Sequence, residues 1–600
     1  MATIFEAKIS DDAIELLSNL LSNVPSFDIA NNKIISIFNI VHFFNNQDEY
    51  LRFKELINNP TKISLDLDRT EYGDFQTSIS LSQSIAIWLN EKKDICPKII
   101  IEPTCGKGNF IVAALKVFKN IKKIIGVEIY KPYTWEAKFN IIDFYISNPN
   151  SLKPEINILH ANAFNFNFDD ITSELCGEIL ILGNPPWVTN SKLSTLRSNN
   201  LPEKSNFKKL NGFEAITGKG NFDIGEYITL LMLKSFQGKN GHIAFLVKNS
   251  VIKNLVFDQS IQNFRISNIE KLTIDSKKEF NVSVEASLFF CKLNSLPESI
   301  CKEYNFYDSK DLIKEFGWIE KKFVSNTIAY ISSKGIDGAC PFEWRQGIKH
   351  DLSSIMELDR VNGSYINGSR EEIILENDLI YGILKSSDLK QNVISKSRKF
   401  TIVTQQKIGQ ETSYISKYYP LTYNYLHSNK LSFSQRKSSI YNNKPEFSIF
   451  GVGEYSFAKY KVAISGLYKT YNFCLILPYE NKPLMLDDTC YMLGFDDLQY
   501  AAYTSILLNS DQAKTFLQAI TFPDAKRMFT KEVLKRIDLN QLAELMTENT
   551  LVEKLNLLNS EYNLNLSVNK WNSYLKLLKP KSISEQTSIF SEYSDLIITA

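Results

Sequence analysis

The sequence is poor in histidine and lacks paired cysteine motifs. It has 5 histidines and 8 cysteines, and the cysteines are scattered with no Cys-x-x-Cys pair among them. Structural zinc sites need clustered cysteine and histidine ligands, and small disulfide frameworks need regularly spaced cysteines. We therefore expect reduced thiols, no disulfide frame and no metal site.

Long apolar runs and an excess charge of one sign are also lacking. No apolar run approaches the roughly 18 residues that cross a bilayer, and the N-terminus has no basic region followed by an apolar core. This pattern predicts a cytoplasmic protein with no membrane partner. The 68 Lys and Arg residues nearly balance the 67 Asp and Glu residues, giving a net charge of +1. Any nucleic-acid surface must therefore be a local basic patch.

The 600 residues, of which 44% are hydrophobic and 12% aromatic, are enough for two to four domains by the rough 150-residue rule. Apolar residues recur at helical spacing near both ends of the chain, and aromatic residues mixed with basic and amide residues begin near Trp344. The predicted parts are a helical cap (1–70), an α/β domain (71–297), a linker region (298–343), a mixed α/β domain (344–540) and a helical tail (541–600).

A glycine loop follows the first strong strand pattern of the α/β domain. The β-branched run 98–101 leads through Glu102 and Pro103 to Gly106, Gly108 and Phe110, and a helical pattern opens with Ile111 to Phe118. Strand, glycine loop and helix together let the backbone approach a ligand closely. Glu102 offers a carboxylate to a cationic amino group. The third glycine of a dinucleotide site is missing, so a plain glycine turn is the alternative.

Two further strand patterns end in polar residues. The run 122–127 ends at Glu128, about 20 residues after the glycine loop, which is where a carboxylate binds ribose hydroxyls. The pattern predicts a nucleoside cofactor. A third strand, 156–159, leads to Asn162 and Phe164. Upstream, Thr77 precedes a helical pattern, and a helix N-terminus with a hydroxyl can bind a carboxylate or simply cap the helix.

The tetrapeptide Asn184-Pro185-Pro186-Trp187 follows the apolar strand pattern 178–183. Two prolines fix φ and remove two backbone donors, so the turn is rigid and presents carbonyl oxygens and an amide oxygen in set directions. Such a turn can accept hydrogen bonds from an amino group, and the indole can stack on a flat ring. A Pro-Pro loop with a half-buried tryptophan is the alternative interpretation.

These motifs, in this order, resemble those of the amino-methyltransferases that use S-adenosylmethionine, and within them the gamma-order DNA adenine methyltransferases. The resemblance implies a Rossmann-like S-adenosylmethionine-dependent methyltransferase domain, with a mostly parallel sheet and helices on both faces. A mixed α/β target-recognition domain, similar to the specificity domain of Taq-type enzymes, would follow it. The implied partners are double-stranded DNA and a cognate restriction endonuclease encoded nearby, in a prokaryotic cytoplasm.

The resemblance also implies a role for each motif residue. Glu102 would bind the methionine amino group of the cofactor and Glu128 its ribose. Asn162 stands where the family usually has an aspartate that accepts from the cofactor's adenine amino group. The implied cofactor-binding residues are Phe75, Thr77, Glu102, Pro103, Gly106, Gly108, Phe110, Glu128, Asn162 and Phe164.

The catalytic set implied by the resemblance is Asn184, Pro185, Pro186 and Trp187. Asn184 and the Pro185 carbonyl would accept the hydrogens of the target amino group, and Trp187 would stack on a base flipped out of the duplex. Other implied substrate contacts are Phe280, Arg436 and Lys437.

Three other interpretations stay open on sequence alone. A protein-glutamine or RNA methyltransferase can use the same Asn-Pro-Pro-aromatic turn. A DNA-binding module with a degenerate cofactor site is a second alternative, for which Asn162 is the main evidence. Methylation of a cytosine amino group is chemically possible as well.

Overall fold

A computed structural model describes residues 2–61, 75–172, 176–189, 223–308, 310–523, 525 and 527–579. The chain divides into two units, residues 1–323 and 324–600.

The first unit contains thirteen strands and ten helices among its described residues. The strands are β1 (Ala2–Ile4), β2 (Ala7–Ile9), β3 (Ile40–Val41), β4 (Ile99–Glu102), β5 (Lys123–Glu128), β6 (Glu155–His160), β7 (Ile179–Gly183), β8 (Gly241–Lys248), β9 (Ile266–Thr273), β10 (Ala286–Leu293), β11 (Ile300–Asn305), β12 (Leu312–Ile319) and β13 (Lys322–Val324). The helices are α1 (Asp11–Leu21), α2 (Phe27–Phe38), α3 (Gln47–Asn58), α4 (Ile79–Glu91), α5 (Asn109–Val117), α6 (Lys131–Ser147), α7 (Phe168–Thr172), α8 (Ile224–Ser235), α9 (Asn249–Gln262) and α10 (Ser276–Phe280).

Eleven of these strands form one sheet in the order β13-β12-β11-β9-β10-β8-β7-β4-β5-β6-β3. The six strands from β3 to β8 are parallel, and β10 then runs antiparallel to both β8 and β9. Every residue of β4 and β7 is buried, which explains why both sequences are apolar apart from Glu102 at the end of β4. The predicted α/β fold class is confirmed.

The strand order brings the ends of the motif-bearing strands together. β4 lies between β5 and β7, with Ile101 level with Ile125 on one side and Ile181 on the other. In an open parallel sheet, ligands bind outside the carboxyl ends of the strands, near the point where the order reverses. From β4 the chain adds β5 and β6 on one side of the sheet. It then crosses back to add β7 and β8 on the other side of β4, so the order reverses at β4.

The N-terminal region differs from the predicted helical cap of residues 1–70. It contains the hairpin β1–β2 as well as helices, and β3 pairs in parallel with β6 at the edge of the large sheet. Its aromatic residues Phe43 and Phe53 pack on Trp135 of α6 with ring centroids 5.4 and 5.7 Å apart. These residues share one apolar core with the sheet, so the region is part of the first unit. Residues 62–74 lie outside the described part.

The predicted linker region of residues 298–343 also differs from the structure. Its first part forms β11, β12 and β13, which extend the sheet beyond β9, and the two units divide between residues 323 and 324. These strands are rich in charged residues, and Glu303 forms an ion pair with Lys271 of the neighbouring strand at 3.1 Å. Their charge content concealed the strand pattern, because cross-strand ion pairs replace apolar pairs here.

The second unit contains two small sheets and eleven helices among its described residues. The strands are β14 (Arg345–Gln346), β15 (Glu357–Val361), β16 (Ser364–Ile366), β17 (Glu372–Ile373), β18 (Ile380–Leu384), β19 (Val393–Ile394), β20 (Lys399–Ile402), β21 (Tyr460–Ser465), β22 (Cys474–Ile476), β23 (Met485–Leu486) and β24 (Cys490–Phe495). The helices are α11 (Thr327–Ser333), α12 (Ser353–Met356), α13 (Tyr414–Tyr418), α14 (Pro420–Ser428), α15 (Lys430–Ser434), α16 (Leu498–Leu508), α17 (Asp511–Ile520), α18 (Lys531–Leu534), α19 (Leu539–Leu545), α20 (Glu548–Tyr562) and α21 (Trp571–Leu578). The sheet orders are β14-β24-β21-β22-β19 and β17-β16-β15-β20-β18-β23.

The helices predicted as a C-terminal tail pack into the second unit as far as residue 579. Tyr574 of α21 is fully buried, and its hydroxyl lies 2.7 Å from the Thr504 hydroxyl on α16. Tyr503 of α16 donates to the Ser567 carbonyl at 2.5 Å. These helices therefore belong to the core of the second unit, and residues 580–600 lie outside the described part.

No helix in the described part is long and apolar enough to cross a membrane. Within the same residues, no three His, Cys, Asp or Glu side chains are grouped closely enough to hold a metal ion. The 8 cysteines, all of them described, are free thiols.

Candidate active site

A cavity lies at the carboxyl ends of the parallel strands, and half of the residues that line it are predicted motif residues. The predicted residues that line it are Phe75, Thr77, Glu102, Pro103, Gly106, Phe110, Glu128, Asn162, Phe164, Asn184 and Pro186. Gly108, Pro185 and Trp187 lie next to it without lining it.

Glu102 ends β4 and is 2% exposed. Its Oε2 atom is buried and has no hydrogen-bond partner among the described residues. Burial, and then the negative charge of Glu128, raise the pKa of this carboxyl group well above its ordinary value. An unpartnered buried carboxylate is costly unless a cation binds to it. The site therefore fits a ligand with a positive amino group beside Glu102.

The glycine loop brings backbone donors to the cavity. Gly106 has φ +50°, and a Cβ there would lie 2.5 Å from the Gln76 side chain, so only glycine fits without a shift. Its N–H donates to Glu128 Oε2 at 2.9 Å. Gly108, with φ +75°, lies behind the wall, where an added Cβ would lie 3.0 Å from the Cβ of Ala137 on α6. Gly108 thus lets α5 begin close to α6.

Glu128, predicted at the ribose, also holds the loops around it. Besides the bond from Gly106, its Oε1 atom accepts from the Tyr130 N–H at 2.7 Å. The carboxylate thus ties the ends of β4 and β5 together, which places it at the cavity wall in a fixed orientation. The hydroxyl of Thr104 is a further unsatisfied polar group in this cavity, after the Glu102 carboxyl. Its Oγ1 is buried and has no hydrogen-bond partner among the described residues.

Asn162 lies in the turn after β6, where its Oδ1 accepts from the Phe164 N–H at 3.0 Å. The resemblance implies that this oxygen would accept from the cofactor's adenine amino group. In the structure the oxygen stabilises its own turn, a common arrangement for asparagine. Phe164 presents its ring to the cavity and packs edge-on against Tyr227 with centroids 5.4 Å apart.

Asn184 follows β7 and has a fixed amide orientation. Its Nδ2 donates to the Phe75 carbonyl at 2.7 Å and to Thr77 Oγ1 at 3.1 Å. Its Oδ1 is buried and finds no partner in the part of the chain that the structure describes. The amide therefore offers one unsatisfied acceptor at the cavity wall, which suits an incoming N–H group.

Trp187 is more constrained than the sequence indicates. The indole is 6% exposed, and its Nε1 donates to the Leu246 carbonyl of β8 at 3.2 Å. Phe75 lies 5.5 Å away and Phe280 4.8 Å away, the latter edge-on. The three rings form one aromatic cluster beside Asn184. Phe75 and Phe280 therefore fix the orientation of the Trp187 ring.

The two basic residues predicted to contact DNA lie in the second unit and differ from each other. Arg436 donates to the carbonyls of Phe433, His350 and Ser448, and its guanidinium lies 3.5 Å from the Tyr441 ring centroid. Its donors are thus engaged inside the unit, where they hold loops together. Lys437 is exposed.

Several cavity residues were missed by the sequence reasoning. They are Gln76, Thr104, Cys105, Asn109, Ile129, Tyr130, Ala161, Ala163, Val188, Ile224 and Ile228. Most of them adjoin a predicted residue, so extending each motif by one or two positions finds them. Ile224 and Ile228, on α8, have an ordinary core-helix pattern that carries no such signal.

Comparisons with known proteins identify relatives of this chain. Residues 67–335 match the family described as N-6 DNA Methylase. The chain is 38% identical over 483 residues to the type II methyltransferase M.NspV of Nostoc sp. (strain ATCC 29411 / PCC 7524), a match that covers 80% of this chain and 98% of that protein.

Among solved structures, the chain resembles the type IIL restriction-modification enzyme MmeI in complex with DNA. The TM-score is 0.50 at 13% identity, and the match covers 92% of this chain and 84% of that chain. This similarity shows a shared fold. The family match over residues 67–335 and the extent of the match to M.NspV show that the chain belongs to the N-6 DNA methylase family.

Proposed function

We propose that this N-6 DNA methylase transfers a methyl group from S-adenosylmethionine to the amino group of an adenine flipped out of a short sequence in double-stranded DNA. We further propose that it is the modification enzyme of a restriction-modification system, protecting DNA from a cognate endonuclease. The observation that carries the proposal is the unsatisfied Oδ1 of Asn184 in the same cavity as the unsatisfied Oε2 of Glu102.

The residues that would hold the cofactor line one cavity. Glu102 would pair with the amino group, and Glu128 and the glycine loop would receive the ribose. Phe110, Phe164 and Ile129 supply apolar wall, with Asn162 in the adjoining turn. When bound, S-adenosylmethionine supplies an electrophilic methyl group on a positively charged sulfur.

An exocyclic amine is a poor nucleophile because its lone pair is delocalised into the ring. Asn184 Oδ1 would accept one amino hydrogen, and the carbonyl of Pro185 would accept the other. Both acceptors favour the tetrahedral, nucleophilic form of the nitrogen, so catalysis rests on positioning and electrostatic stabilisation. No cysteine or strong base is needed for this step.

The prolines and the aromatic cluster keep this arrangement rigid. Pro185 and Pro186 have fixed φ angles, and the Leu246 carbonyl fixes the Trp187 indole, so the amide and the ring cannot drift independently. A flipped base loses its stacking and pairing in the duplex. The aromatic cluster of Trp187, Phe75 and Phe280, in which Phe75 lines the cavity, would supply a replacement stacking surface.

The second unit would read the DNA sequence. Exposed Lys437 would neutralise a phosphate, whereas Arg436 would act indirectly by holding the loops of the unit together. The name of the relative M.NspV, a type II methyltransferase, supports the restriction-modification role.

The proposal is tested by incubating the purified chain with labelled S-adenosylmethionine and DNA from a methylation-deficient host. The DNA is digested to nucleosides, and mass spectrometry identifies the labelled product. The proposal requires N6-methyldeoxyadenosine. Label in cytosine, in RNA or in protein glutamine, with none in adenine, would refute it, and absence of any saturable cofactor binding would favour a degenerate site.

A further inference from the structure

The amide of Asn184 is held by residues 75–77, a short segment that lies just before α4 in the sequence. The carbonyl oxygen of Phe75 lies 2.7 Å from Nδ2, and the Thr77 hydroxyl lies 3.1 Å from the same atom. A carbonyl oxygen can only accept a hydrogen bond, so the end of the amide that faces Phe75 must be the NH₂ end. This contact decides that Oδ1 is the free acceptor.

Thr77 is itself fixed from the cofactor side of the cavity. Asn109, the first residue of α5 and the neighbour of Gly108, donates through Nδ2 to the Thr77 carbonyl at 2.7 Å. The side chain of Gln76 accepts from the Lys107 N–H at 3.2 Å. Two hydrogen bonds thus connect the 75–77 segment to the glycine loop. The same segment holds Asn184 through the Phe75 carbonyl and the Thr77 hydroxyl.

From these contacts we infer that Thr77 and Asn109 are positioning residues for methyl transfer, connecting the glycine loop to the amide of Asn184. The inference rests on the proposed function and adds a role to it. The resemblance implies that Thr77 binds the cofactor. The Thr77 hydroxyl instead accepts from Asn184 in the structure, and Thr77 is 5% exposed.

The physical reason lies in the torsion of the amide. Rotation about the bond from Cβ to the amide carbon has a broad, shallow preference, so the amide needs partners to keep one orientation. Without the Thr77 hydroxyl, only the Phe75 carbonyl remains, and Oδ1 can move away from the target nitrogen. A misplacement of about 1 Å can lower a rate roughly 100-fold, while the cofactor keeps its contacts with Glu102 and Glu128.

The test compares Thr77→Val, which removes the hydroxyl at nearly constant shape, with Thr77→Ser, which retains it. Calorimetry gives the dissociation constant for S-adenosylmethionine, and single-turnover assays on DNA from a methylation-deficient host give the transfer rate. We expect Thr77→Val to transfer about 10- to 100-fold more slowly, with a dissociation constant within about twofold of the wild type. Thr77→Ser should recover most of the rate.

Asn109→Asp provides a second variant in case Thr77→Val does not fold. Aspartate matches the shape of asparagine but cannot donate to the Thr77 carbonyl, so we expect the same selective loss of rate. A drop in cofactor affinity that accounts for the whole rate loss in either variant would overturn the inference, because it would mean a direct cofactor contact.

A double-mutant cycle separates positioning from a general structural effect. In an Asn184→Ala background there is no amide to orient, so adding Thr77→Val should lower the rate no further. Equal losses in both backgrounds would overturn the inference. If the wild type binds S-adenosylmethionine and methylates no DNA, the proposed function fails and the inference fails with it. If the wild type methylates DNA and Thr77→Val does so at the same rate, only the inference fails.

Discussion

The carboxyl group of Glu102 is buried beside that of Glu128, and burial together with this neighbouring charge raises the pKa of Glu102 well above its ordinary value. A cationic ligand requires the ionised form. We therefore expect affinity for S-adenosylmethionine to rise with pH through the raised pKa, with release of a proton on binding. Calorimetry in buffers of different ionisation enthalpy measures the protons released, and a pH-independent affinity with no proton release would contradict this expectation.

Replacing Glu102 with glutamine should affect stability and affinity in opposite directions. A raised pKa in the folded state means that the stability of the ligand-free protein is full below the unfolded pKa and declines as pH rises through the folded one. Glu102→Gln removes that decline, so its melting temperature should exceed that of the wild type at pH 8. Its affinity for S-adenosylmethionine should fall about 100-fold, because the amino group loses its charged partner. Equal melting temperatures at pH 8 would count against a buried, strained carboxylate.

Gly108→Ala tests the close approach of α5 and α6. Alanine at φ +75° costs about 1 kcal/mol of backbone strain, and its Cβ would also press on Ala137 at 3.0 Å. Gly238→Ala is the matched control, because Gly238 has φ +86° and nothing lies within 4 Å of the added Cβ. We expect a larger loss in the free energy of unfolding at Gly108, by about 1 kcal/mol or more. Equal losses would show that only the backbone angle matters.

Arg436 and Lys437 are adjacent but should behave differently. Arg436→Ala removes three bonds to backbone carbonyls and the contact with Tyr441, so it should destabilise the second unit by about 2 kcal/mol or more. Lys437→Ala should leave the melting temperature unchanged and weaken DNA binding, reducing the salt dependence of log K by about 0.9. The reverse pattern, with Lys437 important for stability, would contradict the assignment.

Local motifs predicted the polar residues at the strand ends. They did not predict side chains whose hydrogen-bond partners are distant in the sequence. Glu102, Glu128 and Asn184 each end or follow a short apolar run, so their places at one edge of a parallel sheet follow from chain order alone. The bond from Trp187 to Leu246 spans 59 residues, and Arg436 reaches back 86 residues to His350. No local pattern encodes such pairs, which is why both side chains looked freer in the sequence than they are in the structure.

The unit boundary was harder to predict than the site. The predicted α/β domain ends at residue 297. The sheet continues through β11 to β13 because charged pairs such as Lys271 and Glu303 stabilise strands that an apolar pattern would miss.

The measurement that tests the central claim most directly is single-molecule sequencing of DNA from cells that express either the wild-type chain or Asn184→Ala. Alanine removes the free acceptor and leaves the Glu102 region intact, so methylation should fall about 100- to 1000-fold while binding of S-adenosylmethionine persists. The account predicts one short motif with modified adenines in wild-type cells and none above background in the variant. Modified adenines at the same motif and level in both strains would contradict the role of Asn184, and no motif in the wild type would contradict the proposed function.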